Sequence, residues 1–148
     1  MRNGLWIILL VLSLSAYALC MAFDAFLIDG PEPSAWSSPF MLLLFGWMGI
    51  FGGAVAWFAN PLLLASWILL VCGLSRVALW IAGGALLTGL SFLTIDSLLI
   101  SEAPTFAHIT RLGAGYWLWL VSMGLAMVAG LARATAQASR FRSEKTSL

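Results

Sequence analysis

Five stretches of the chain lack Asp, Glu, Lys, Arg and His altogether: residues 5–23, 40–59, 61–75, 77–95 and 114–132. A helix that crosses a bilayer needs about 20 mostly apolar residues, and its peptide groups must pair within the helix because hydrocarbon offers them no partner. The first, fourth and fifth stretches have full spanning length. The second and third are parted only by Asn60 and Pro61 opens the latter; together they run over residues 40–75, too long for one crossing, whereas 61–75 is short for a second. The pattern predicts an all-α, polytopic transmembrane helical bundle of four crossings, with five as the alternative.

With four crossings, residues 40–53 form a half-inserted or interfacial helix on the outer side, and the crossing runs over residues 54–74. Gly46, Gly49, Gly52 and Gly53 favour a break there, since glycine weakens a helix interior by up to about 1 kcal/mol each. With five crossings, Asn60-Pro61 is the whole turn between two helices. In both versions Pro61 marks a helix start, because its missing N–H would be unpaired there anyway, and Asn60 is the natural N-cap.

Charge orients the bundle. Arg2, Arg76, Arg133, Arg140, Arg142 and Lys145 are six of the seven basic residues, whereas residues 24–39 carry Asp24, Asp29 and Glu32 and no base. Residues 96–113 hold Asp96, Glu102, Arg111 and the one histidine, His108. Basic residues gather on the cytoplasmic side of membrane proteins. Four crossings then leave only Arg111 outside, and five leave Arg2 and Arg111 there. The chain reads as a single integral membrane domain over residues 1–148, with a basic cytoplasmic tail over 133–148 that extends the last helix before fraying. Residues 29–34, rich in turn formers, read as an irregular outer loop. The N-terminal stretch imitates a signal peptide with Ala16-Tyr17-Ala18 at the cleavage position, but its apolar run continues through Phe23, so we expect it to be retained.

Composition agrees. Hydrophobic residues make up 62% of the 148, charged ones 9%, and the mean hydropathy is +1.02, against about 25% charged residues in soluble domains. A water-soluble globule, a disordered chain and a disulfide-stapled scaffold are excluded on these grounds. A net charge of +1 without a basic stripe gives no reason to expect a nucleic-acid partner.

Few residues invite chemistry. Cys20 and Cys72 fall near opposite ends of their helices, too far apart for a disulfide, which needs Cα atoms within about 7 Å; both read as buried structural thiols. His108, with Asp96, Glu102, Asp24, Asp29 and Glu32, lacks metal-ligand spacing such as His-Glu-x-x-His, and Ser97 and Ser101 lack the Gly-x-Ser-x-Gly context of a hydrolase nucleophile. These residues read as a solvated outer loop. Thr88, Ser91 and Thr94 share one helix face; they read as packing hydroxyls, with a polar pathway as the alternative. No catalytic, cofactor-binding or metal site is assigned.

Small residues show where helices meet. Ser122, Ala126 and Gly130 form one stripe on the last helix, Ala78/Ala82 and Ala85/Gly89 pair on the helix before it, and Gly49/Gly53 form a Gly-x-x-x-Gly. Such stripes let backbones approach closely in lipid. The Ser122/Ala126/Gly130 stripe is read as an internal contact, or as a surface for another membrane protein or a second copy, with Leu120 and Met127 on the opposite side. Trp36, Trp57, Trp117 and Trp119 fall at outer ends and Trp6 at the inner one, as interfacial belts require.

Gly46-Trp47, the run from Ala56 through Trp57-Phe58-Ala59-Asn60-Pro61 to Leu64, and Gly113-Ala114-Gly115-Tyr116-Trp117-Leu118-Trp119-Leu120 together resemble a group of small bacterial membrane proteins. That group has a Trp-x-Ala-Asn-Pro element and a Gly-Tyr-aromatic-Leu-Trp start to its last helix. The likeness spans residues 46–122, although members often carry several basic residues where this chain has only Arg76. It implies a bacterial inner-membrane location and brings no activity. The expectation is a non-enzymatic multi-pass membrane protein that binds another membrane component, as an accessory, assembly or immunity-type factor. The alternatives are a small oligomeric transporter or channel using Thr88/Ser91/Thr94, and an enzyme at the outer boundary using His108.

Overall fold

A computed structural model describes residues 4–28, 37–53, 55–95, 97–99 and 106–146. Helices α1 (Leu5–Cys20), α2 (Pro39–Phe45), α3 (Ala59–Val71), α4 (Ser75–Leu90) and α5 (Ala114–Thr146) dominate it. Three 3₁₀ segments adjoin them: Gly46–Gly52 continues α2, Ala56–Phe58 leads into α3, and Ser91–Thr94 continues α4. Two helical stretches are long and apolar enough to cross a membrane, Ser75–Thr94 with 20 residues and Ala114–Arg140 with 27.

Cross-helix contacts fix the directions. Trp6 meets Arg133 and Ser13 meets Ser122, so α1 runs antiparallel to α5. Gly89 meets Tyr116 and Ser75 meets Gln137, so α4 is antiparallel to α5 as well. Asn60 meets Trp119, and the end of α3 meets Arg133, so α3 runs parallel to α5. The four long helices therefore alternate in direction, with α5 packed between α1 and α4, and α3 against α4. Arg76, Arg133 and Arg140 all fall at one end of this bundle, which we call the basic end.

The opposite end carries a feature absent from the helical expectation. Strands β1 (Phe26–Ile28), β2 (Ser97–Leu99) and β3 (Phe106–Leu112) form an antiparallel sheet in the order β1-β3-β2. Phe26 pairs with Leu112 and Ser97 with His108. The segment read as a solvated loop around His108 is thus a strand that ties the end of α1 to the start of α5. Residues 29–36, the proposed irregular loop with Trp36, lie outside the described residues.

Close approach explains Gly113 and Gly115. A Cβ on Gly113 would stand 2.0 Å from the Asp24 carbonyl oxygen, and one on Gly115 would stand 2.3 Å from that of Phe23. Their amides donate to Ala25 O at 2.8 Å and Asp24 O at 3.1 Å. At the basic end, α3 turns into α4 through Gly73, whose φ of +88° is the left-handed value a glycine adopts freely. The Leu74 amide bonds to Leu69 O and the Gly73 amide to Leu70 O, the paired bonds of a Schellman cap.

Burial is inverted relative to a water-soluble bundle. The interior is built largely of small residues, with Ala59, Ala82, Ala85, Ala129, Ser13 and Ser122 all at 0% exposure. Large apolar side chains face outward on every long helix: Ile8, Val11, Leu64, Ile68, Trp80, Leu87, Val121 and Leu131 are all exposed.

Several local expectations need correction. Asn60 makes no capping bond; α3 starts at Ala59 behind a 3₁₀ turn, which leaves Pro61 in the first turn. The crossing expected over residues 54–74 is helical over Ala56–Val71. Gly49/Gly53 belong to a 3₁₀ segment closed by Gly53 at φ +84°, so no helix-packing stripe forms there. Helix α5 continues to Thr146. Cys72 is exposed at the α3–α4 turn, whereas Cys20 is buried.

Candidate functional site

Among the described residues, the sheet end holds a cavity of about 110 Å³ that is partly open. It is walled on one side by α2 and its 3₁₀ continuation, from which Leu42 packs on the Phe26/Ile28 cluster although no residue of α2 is fully buried. Leu42, Leu43 and Gly46 form one wall, Cys20, Met21 and Phe26 a second, and Ala56, Asn60, Phe92, Tyr116 and Trp119 close the rest.

Asn60 organises this region. Its Oδ1 accepts from Tyr17 OH of α1 at 3.2 Å and from Trp119 Nε1 of α5 at 2.9 Å, and its Nδ2 donates to Trp57 O at 3.1 Å. One amide thereby joins three helices. Trp57 Nε1 donates to Leu43 O at 3.0 Å and so tethers α2, while Gly46 packs on the Trp57 ring, where a Cβ would stand 2.6 Å from Cδ1. Tyr116 OH donates to Gly89 O at 3.2 Å, and Cys20 Sγ to Tyr17 O at 3.0 Å. Phe92 and Tyr116 lie 5.7 Å apart, centroid to centroid, and Phe26 and Phe92 lie 5.5 Å apart.

Two further polar tiers tie the bundle below the cavity. Midway, Trp67 Nε1 donates to Ser13 Oγ at 2.9 Å, and Ser13 Oγ donates to Ser122 O at 2.6 Å, linking α3, α1 and α5. At the basic end Arg133 donates to the Leu70 carbonyl and stacks over Trp6 at 4.0 Å. Nearby Ser75 donates to Gln137, which donates to Gly73 O.

The other sequence candidates do not converge on the cavity. His108 is exposed on β3, and Asp24, also exposed, accepts from Ser37 Oγ at 3.5 Å. Asp29, Glu32, Asp96, Ser101 and Glu102 lie outside the described residues, and Ser97 is described through its backbone pairing only. Among the described residues no group of three or more His, Cys, Asp or Glu side chains comes together to hold a metal. Cys20 and Cys72 sit at opposite ends of the bundle. Thr88, Ser91 and Thr94 each donate to a carbonyl three or four residues earlier in their own helix.

The Ser122/Ala126/Gly130 stripe is wholly buried inside the chain. Ser122 meets α1, and a Cβ on Gly130 would stand 3.0 Å from the Leu79 backbone of α4. Leu120, expected on the opposite side, is buried at 8%, because α5 has neighbours on two sides; Met127 faces outward. Sequence reasoning missed Trp67 as a bonding partner, whereas Tyr17 was among the hydroxyls expected to bond within the bundle. Asn60 and Trp119 stood out, but in the roles of cap and belt.

Comparison of the chain with protein-family models, curated proteins and solved structures finds no match.

Proposed function

We propose that the chain is an integral membrane protein of four crossings, with the sheet end outside and the basic end in the cytoplasm, that acts by binding another membrane component rather than by catalysis. The observation that carries the reading is the inverted burial: alanine, serine and glycine inside, with leucine, isoleucine, valine and tryptophan outside. In water that surface would be an aggregation liability; in lipid it is matched to its solvent. Ala56–Val71 and Leu5–Cys20, at 16 residues each, measure about 24 Å against a hydrocarbon core of about 30 Å. Because they share the bundle with the longer stretches Ser75–Thr94 and Ala114–Arg140, a modest local thinning of the bilayer accommodates them. The basic end satisfies the positive-inside rule, and the resemblance of residues 46–122 points to a bacterial inner membrane. The binding role is supported by the cavity, whose polar side chains are engaged with the protein itself and which therefore presents mainly apolar surface.

Native Cys72 is a built-in reporter of this topology. A membrane-impermeant maleimide should leave Cys72 unlabelled in intact cells and label it in inverted vesicles, and carbonate washing should leave the protein in the pellet. Labelling in intact cells would overturn the orientation, and release by carbonate would overturn the membrane reading. His108→Ala, Asp96→Ala and Glu102→Ala should leave any cellular phenotype unchanged; loss in all three at normal membrane levels would favour an enzyme.

A further inference from the structure

The geometry points to the sheet-end cavity as a binding site for a segment of one lipid acyl chain drawn from the outer leaflet, an inference that rests on the membrane reading above. Three features select this occupant. First, every side-chain hydrogen-bonding group of Trp57, Tyr116, Trp119 and Cys20 in the lining already has a protein partner, and Asn60 retains a single free N–H. A polar ligand would find almost nothing to bond, whereas hydrocarbon needs no partner.

Second, the size fits. An apolar cavity of about 150 Å³ stays dry and takes up benzene, so 110 Å³ between Phe26, Phe92, Leu42 and Met21 suits a few methylenes and is too small for a whole lipid. Third, the wall formed by Leu42, Leu43 and Gly46 belongs to a segment whose outer surface is itself apolar. Phe40, Leu44, Phe45, Trp47 and Phe51 are all exposed, with Phe51 at 79%. The cavity is thus partly open and bounded on one side by a single thin apolar layer, and it lies beside the first turns of α5, which the membrane reading places at the depth of the upper acyl carbons.

The test uses the full chain in phosphatidylcholine nanodiscs containing a fraction of phosphatidylcholine with a diazirine near the acyl carbonyl. Irradiation and mass spectrometry then locate the adducts. Phe26 and Tyr116 line the cavity at 2% and 3% exposure, out of reach of bulk lipid, while Trp117 is exposed at the same depth. The expected result is labelling of Phe26 and Tyr116 as well as Trp117. Ala56→Leu, which fills the cavity, should abolish the first two adducts and spare the third. Should that variant not accumulate, Leu42→Ala, which opens the wall, should raise labelling at Phe26. Labelling of Trp117 alone in the wild-type protein would overturn the acyl-chain site and leave the membrane reading standing. Absence of all three adducts would overturn both.

Discussion

Replacing Asn60 by leucine tests whether the outermost polar tier holds the bundle together. Leucine is close to asparagine in size, so the cavity term is small and the change isolates hydrogen bonding. Three bonds are lost: Tyr17 OH and Trp119 Nε1 lose their acceptor, and Trp57 O loses its donor. Bonds between helices in membranes contribute about 0.6 kcal/mol on average and up to about 1.7, while a buried group left unpaired costs about 1–3 kcal/mol. Three bonds at about 0.6–1.7 kcal/mol each give a destabilisation of about 2–5 kcal/mol. At about 2–4 °C per kcal/mol for a chain of this size, the midpoint of thermal unfolding in mild detergent should fall by roughly 4–20 °C. Tyr17→Phe alone removes one donor and should cost about 1 kcal/mol. In the Asn60→Leu background the same change should cost nothing or stabilise, because it removes a hydroxyl that no longer has a partner. Equal cost of Tyr17→Phe in both backgrounds would refute the coupling, and an unchanged midpoint for Asn60→Leu would refute the tier.

Gly115→Ala sets a methyl against the Phe23 carbonyl with backbone on both sides, and should cost about 3 kcal/mol, the upper end of overpacking; membrane accumulation should fall sharply, while Gly84→Ala, with open space around it, should accumulate normally. Ala126→Leu and Gly130→Ala should each cost about 1–3 kcal/mol by forcing α5 from its neighbours, and Met127→Leu less than about 1.5; similar aggregation temperatures for all three would contradict the tight contact. Arg133→Ala removes the bond to Leu70 O and the stack on Trp6, for about 2 kcal/mol. Arg133→Lys should restore only part of that, since an ammonium lacks the planar fork that bonds and stacks at once.

The long helices were legible because a charge-free run has one dominant meaning at that length: four of the five runs became helices, and two stretches, Ser75–Thr94 and Ala114–Arg140, are long and apolar enough to cross a membrane. Their ends were not legible. Absence of charge marks what hydrocarbon tolerates, whereas a helix ends where backbone bonds end, as at the Gly73 cap. The small-residue stripe on α5 was readable for a similar reason: in an apolar helix, alanine and glycine four apart signal close backbones. The sheet was hidden because β1 and β2 are three residues each, too short to show alternation, and because Phe26 pairs with Leu112 far along the chain. Ile109 and Thr110 in β3 were the one local hint, since β-branched residues favour strands. The cavity was invisible for a deeper reason. It depends on α2 packing at the sheet end with no fully buried residue, and an apolar sequence does not show which of its side chains will be covered.

Stabilisation and openness are unequally distributed in this molecule, and the inequality bears on function. In lipid the apolar solvent gives helices no reason to associate, so cohesion has to come from close packing and hydrogen bonds. Along α1, α3, α4 and α5 both are dense: alanines and glycines meet backbone to backbone, and three polar tiers join the helices at successive depths. Segment 39–52 has less of each, with Leu42 packed against the Phe26/Ile28 cluster. It contributes no buried residue from α2 and is tethered chiefly by Trp57 Nε1 on Leu43 O and by Gly46 against the Trp57 ring. Elements that open to admit ligands come from the low-stability part of a fold by necessity. Here that part is the wall of the sheet-end cavity, and Trp57 holds the wall from one side while its carbonyl accepts from Asn60 on the other. A single residue, Trp57, therefore couples this segment through its indole to the tier that it joins through its carbonyl. That coupling makes the sheet-end half of the bundle, rather than the exposed His108, the place where an occupant of the cavity would be felt by the rest of the protein.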